Sequence, residues 1–147
     1  MEFIYFKSYK ILKYIVPIIS MLFTACNDGD VFIQDKSILK DEIKCLNLVV
    51  FPPNKMIENS LKKLYHFKQD CNYQLIVSYK NSLVCNSNQN ADKKVIGLPK
   101  SYLRLEIKKD AKLCYTYYKD LRDNLDAKDV KNGFEVIESD LDIKSNP

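Results

Sequence analysis

Short runs in which every second residue is apolar recur along the chain from Val31 onward, and this period constrains the fold more than any other feature. It is the signature of strands that bury one face. Leu46, Leu48 and Val50 form one such run, which Pro52-Pro53 ends. Tyr73, Leu75, Val77 and Tyr79 form another, after which Lys80-Asn81-Ser82 turns the chain toward Leu83-Val84-Cys85. The clearest hairpin places Leu103, Leu105 and Ile107 opposite Arg104, Glu106 and Lys108, turns at Lys109-Asp110, and returns through Leu113, Tyr115 and Tyr117. Asn132-Gly133 is a turn dipeptide, so Phe134 to Ile137 reads as a last strand. Seven or eight short strands at intervals of about ten to fifteen residues predict an all-β domain over residues 31–138, a small antiparallel β-sandwich of immunoglobulin-like appearance. Helix is expected to be scarce. Met56 to Leu64, with Met56, Ile57, Leu61 and Leu64 on one helical face, fits a short helix as well as a loop, and Asp120 to Val130 is the second exception. Asn86 to Lys94 reads as a polar loop, and residues 139–147 as a flexible tail.

The start of the chain has a different character. Lys7, Lys10 and Lys13 precede an apolar run from Tyr14 to Phe23, and the polar residues Asn27, Asp28 and Asp30 follow at once. The run is shorter than the roughly 20 residues a membrane-spanning helix needs, and the layout is that of a cleaved signal peptide over residues 1–25. Phe23-Thr24-Ala25-Cys26 resembles the lipobox of bacterial lipoproteins, with Phe where Leu is usual. The resemblance implies that Cys26 becomes the first residue of the mature protein and carries acyl chains such as palmitate, with residues 26–30 as the tether. Two chains hold a protein stably on a bilayer where one does not. Asn27 after the cysteine, in place of Asp, implies an outer-membrane address in the periplasm.

Removing Cys26 leaves Cys45, Cys71, Cys85 and Cys114, an even number in a chain read as exported, so two disulfides are expected. Three pairings are open; the spacings suggest Cys71 with Cys85 as a local staple and Cys45 with Cys114 as a long-range one. No two of these cysteines are closer than 14 residues, which argues against zinc sites built on Cys-x-x-Cys pairs. A catalytic thiol would need a neighbouring base, and the single histidine, His66, is expected on a half-exposed strand.

Composition narrows function further. The net charge is +4, and it falls to +2 over residues 26–147 once the leader is set aside, so a nucleic-acid partner is not expected. With only 3 glycines the phosphate-cradling loops are missing, and no nucleophile elbow or paired-histidine metal motif is present. No enzyme activity, cofactor or metal is expected. Asp120, Asp123, Asn124, Asp126 and Asp129 crowd together but lack the central Gly and closing Glu of a calcium loop. They do make residues 119–147 acidic (−3) against a basic 26–118 (+5), a polarity able to steer a charged partner. Ten tyrosines are the other excess. Tyr115 and Tyr117 keep the apolar register of their strand and are assigned to the core. Tyr118 does not, which makes it, with Asp120, Asp123 and Asp126, the candidate contact set for a protein partner.

A short exported chain that starts Cys26 to Asp30, continues as alternating strands carrying cysteines, and includes the stretch Leu98 to Ile107 resembles the type VI secretion immunity lipoproteins of Gram-negative bacteria. That resemblance implies a periplasmic domain, held to the membrane through its lipid, that neutralises a secreted toxin by stoichiometric binding. The alternative is an accessory lipoprotein of an envelope or secretion apparatus, with an envelope component as its partner.

Overall fold

The computed structural model describes residues 29–82 and 99–144. The expectations for the leader, for Cys26, for Leu83 to Cys85, for the loop at 86–94 and for residues 145–147 lie outside them. In chain order the elements are β1 (Asp30–Ile33), a 3-10 turn (Lys36–Lys40), β2 (Asn47–Phe51), α1 (Lys55–Lys62), β3 (Tyr73–Lys80), β4 (Ser101–Lys109), β5 (Lys112–Leu121) and α2 (Ala127–Asp140). The strands form one sheet in the order β1-β5-β4-β3-β2. β2 and β3 are parallel and every other pair is antiparallel. Parallel neighbours need a crossover between them, and α1 supplies it.

The period-two pattern positions this sheet as expected. Leu75, Val77, Leu103, Leu105, Ile107, Tyr115 and Tyr117 all point to one face and are fully buried, each such side chain contributing about 1.5–3 kcal/mol. Two helices cover that face. In α1 the Asn54 side chain accepts hydrogen bonds from the backbone of Met56 (2.9 Å) and Ile57 (3.4 Å), which fixes the start of the helix, and Ile57 and Leu61 are buried. In α2 Asp126 accepts from the Asp129 backbone at 2.9 Å while Asp129 accepts in return from the Asp126 backbone, a reciprocal cap. Val130, Phe134 and Ile137 then face the sheet, and the rings of Tyr65, Phe67 and Phe134 pack together with centroids 5.0–6.1 Å apart.

The domain is therefore rich in strand but not all-β. Among the described residues there is one mixed sheet with helices on one side, where an antiparallel immunoglobulin-like sandwich was expected. The largest single error is at Asn132-Gly133, which is no turn: both residues are inside α2, and Phe134 to Ile137 is helix and not strand. Gly133 is there for close packing, because a Cβ at that position would lie 2.8 Å from Tyr117 Cε1 and 2.9 Å from Leu105 Cδ1. The segment Asp120 to Val130 splits into the end of β5, a loop and the first turn of α2. Residues 139–144 are not a free tail, since Ser139 and Asp140 finish α2 and Leu141 and Ile143 are buried in the core. The β4–β5 hairpin turns one residue later than expected, at Asp110 and Ala111, both at positive φ (48° and 67°). The undecided segment from Met56 is settled as the helix α1.

Candidate interaction surface

Alternation leaves a second set of side chains on the face away from the helices. The register arranges them in rows across the strands. The row nearest the start of β4 holds Lys80, Tyr102 and Asp120; the next holds Asp30, Tyr118, Arg104, Ser78 and Phe51; the third holds Phe32, Thr116, Glu106, Ile76 and Val49. A strand face turned to water should be polar throughout, as it is at Ser78, Arg104, Glu106 and Thr116. Phe32, Val49 and Phe51 break that rule, with Phe32 53% and Phe51 69% exposed, and Ile76 lies between them half-buried.

Tyr102 and Tyr118 stack on this face, centroids 5.8 Å apart with 25° between the rings. The Tyr118 hydroxyl donates to Asp120 Oδ1 at 2.7 Å. That carboxylate acceptor, with some burial, pushes the phenol up to about 12, so Tyr118 is a neutral donor throughout the physiological range. Arg104 Nε donates to Ser78 Oγ at 3.1 Å and lies 3.6 Å from Glu106 Oε1. An exposed pair of this kind adds little stability. Thr116 is buried under Gln34, whose Nε2 donates to its hydroxyl at 3.2 Å.

Of the four contact residues the sequence singles out, the structure brings Tyr118 and Asp120 together on this face. Asp123 and Asp126 follow in the loop to α2, Asp123 engaged through its backbone and Asp126 through its side chain. The Asp123 carbonyl accepts from the Ser101 hydroxyl, and Asp126 caps α2. The Asp129 backbone N–H holds the Asp126 carboxyl below its ordinary value. Sequence reasoning missed Phe32, Val49, Phe51 and Ile76. Their signal was present, because Leu48-Val49-Val50 and Leu75-Ile76-Val77 are apolar at both parities where a one-sided strand needs only one.

The opposite end of the sheet is tied by ion pairs. Asp41 Oδ2 accepts from Tyr73 Oη and from Lys109 Nζ, each at 2.8 Å, and Asp35 Oδ2 lies 2.6 Å from Lys112 Nζ. These donors hold both carboxyls below their ordinary value and both lysines above theirs. The arrangement fastens the segment after β1 to the β4–β5 hairpin, and Asp41 also lines an open hollow of about 450 Å³ between that segment and residues 141–144.

The cysteines depart from the expected pairing. Cys45 is bonded to Cys71, which overturns both Cys45 with Cys114 and Cys71 with Cys85. Cys114 is a buried free thiol on a strand irregularity whose carbonyl accepts from the backbones of Gln34 and Asp35. The one disulfide among the described residues replaces the expected two, and Cys85 and the lipidation residue Cys26 lie outside those residues. His66 is exposed in the coil after α1, not on a strand. Among the described residues no helix is long and apolar enough to cross a membrane. Comparison with protein-family models, curated proteins and solved structures gives no match to this chain.

Proposed function

We propose that the chain is a periplasmic lipoprotein, anchored through acylated Cys26, whose domain neutralises a secreted toxin by binding it through the open face of the sheet. The observation that carries this reading is the apolar set Phe32, Val49 and Ile76 on a strand face that folding alone requires to be polar. Exposed apolar groups next to Arg104, Glu106 and Tyr118 are the composition of a recognition surface: a few apolar and aromatic anchors with charge around them. The Cys45–Cys71 bond supports export, because such bonds persist in oxidising compartments. The lipobox resemblance supports the membrane address. Binding by such a face is stoichiometric, and no turnover follows from it.

The test pairs Phe32→Ser with Val49→Ser in the full-length protein. Both side chains are exposed, so the melting temperature should stay within a degree or two, while affinity for the toxin partner should fall by at least about 30-fold, the loss expected of a buried anchor. Cells carrying the double variant should lose protection against a neighbour that delivers the toxin. Equal survival with and without the protein, and no complex by size exclusion, would reject immunity. Recovery of an envelope component in place of a toxin would favour an accessory lipoprotein.

A further inference from the structure

The rows of the open face differ in their distance from the proposed anchor, and covalent geometry fixes that distance. Gly29, at φ +87°, is seated directly on β5: a Cβ there would lie 2.7 Å from the Tyr118 carbonyl oxygen and 2.8 Å from Cζ and Oη of Tyr117. The chain is thus already held by the sheet at Gly29. From Cys26 to Gly29 there are three Cα–Cα steps of about 3.8 Å each, a reach of at most about 11 Å. A doubly acylated cysteine stays at the bilayer surface. Gly29, just before β1 and against Tyr118 of β5, therefore cannot be much farther than that from the lipid.

The register states what else is at this end. Asp30 pairs with Tyr118, Tyr118 with Arg104, Arg104 with Ser78 and Ser78 with Phe51, so this row crosses all five strands. Tyr102, stacked on Tyr118, and Lys80 stand one step closer to the sheet's end. Tyrosine rings suit the level of lipid headgroups, having an apolar body and a polar tip, and exposed Arg104 and Lys80 are placed for phosphate oxygens. Among the described residues the exposed acids at the same end, Asp30, Asp120 and Asp123, stand against the four cations Lys80, Arg104, Lys100 and Arg122, so their charge alone does not select an anionic bilayer. The disulfide and the ion-paired hairpin lie at the other end of strands eight to ten residues long, about 25–30 Å away at the usual rise per residue.

We propose that this end of the sheet rests on the bilayer, with Tyr102, Tyr118 and Phe51 at headgroup level, and that the next row, Phe32, Ile76 and Val49, is what remains for the protein partner. The inference rests on acylation of Cys26 from the proposed function. It also reassigns Asp120, which hydrogen-bonds Tyr118 at this end: on this reading it lies beside the lipid and does not steer a basic partner.

The chain has no tryptophan, so single substitutions report position without a background. Full-length processed protein carrying Tyr118→Trp, Phe51→Trp or Asn72→Trp would be extracted from membranes and reconstituted into phosphatidylcholine vesicles containing a headgroup-nitroxide lipid. Asn72 is exposed just before β3, at the far end. Quenching of the tryptophans at 118 and 51 should exceed that at 72 at least threefold, at low and high salt alike. Equal quenching at all three positions in vesicle-bound protein overturns the contact and leaves the lipoprotein reading intact. Protein that fails to float with the vesicles overturns acylation and the contact together.

Discussion

Gly133→Ala cancels or reverses the ordinary effect of that substitution, and the structure gives the size. In a helix interior alanine is better than glycine by about 0.8–1 kcal/mol, so on an exposed position of α2 the change would stabilise. At 133 the new methyl would meet Tyr117 Cε1 at 2.8 Å and Leu105 Cδ1 at 2.9 Å, roughly 1 Å inside the usual carbon–carbon separation of about 3.5–4.0 Å. Neither neighbour has room to retreat, since both are fully buried in the middle of the sheet. Either α2 lifts from the sheet by that amount or the ring leaves its rotamer; overpacking of this kind costs about 1–3 kcal/mol. The propensity gain offsets the low end of that range, which leaves a net change between about zero and a loss of about 2 kcal/mol. For a domain of this size the upper end is a fall in melting temperature of about 10 °C.

The measurement is thermal unfolding followed by circular dichroism, with urea titration giving the free energy. Leu105→Val, which removes the Cδ1 methyl that the new Cβ would meet at 2.9 Å, should be partly compensating. The double variant should lie closer to Gly133→Ala than the sum of the two single losses predicts, as coupled neighbours do. A stabilised Gly133→Ala protein, or strict additivity with Leu105→Val, would refute the close-approach account of this glycine.

Reduction of Cys45–Cys71, which closes a loop across 26 residues, should lower stability by about 3–3.5 kcal/mol on the chain-entropy model, read as a lower urea midpoint in dithiothreitol. Ala111→Gly should raise stability by about 1 kcal/mol, because Ala111 sits at φ 67° in the β4–β5 turn, a conformation that costs an L residue about 1–2 kcal/mol; an unchanged urea midpoint would count against it. Acid should weaken the fold through Asp35, Asp41 and Asp126, whose folded-state carboxyls lie below their ordinary value of 3.8. For groups shifted in that direction the stabilisation is complete above the ordinary value and is lost as pH falls through the lower folded values, so melting temperature should decline below about pH 4, and less steeply in Asp35→Asn with Asp41→Asn.

What the sequence made legible was the sheet, because burying one face of a strand imposes a strict parity. The inner positions of β3 and β4, and Tyr115 and Tyr117 on β5, were identified by it; Leu113, expected on the same face, is not there, because the register shift at Cys114 pairs it with Lys108 and leaves Cys114 buried in its place. Parity says nothing about what covers the buried face, since a second sheet and a pair of helices demand the same alternation. The cover was legible by another period: Val130, Phe134, Ile137 and Leu141 recur at helical spacing. Asn132-Gly133 masked it, because a turn dipeptide and a glycine needed for close helix–sheet packing are identical as letters. Only the positions of Tyr117 and Leu105 separate the two meanings. The Cys45–Cys71 bond was hidden for a similar reason, since loop lengths rank pairings only weakly, and the α1 crossover that brings the two residues together is a property of the folded chain.

The functional reading rests on where parity fails. An exposed apolar residue standing alone needs no explanation, because much of any protein surface is apolar. Phe32, Val49 and Ile76 are different, since the register puts all three in one row of the open face, across β1, β2 and β3, while the positions between them on β4 and β5 are Glu106 and Thr116. Folding does not require apolar groups there: the inner face already carries the core, and a polar outer row would keep the edge strands safer from unwanted pairing. In the proposed function, the bound partner is what covers them. Replacing them should therefore separate binding from folding, whereas replacing Leu105 or Tyr117 would lose both at once.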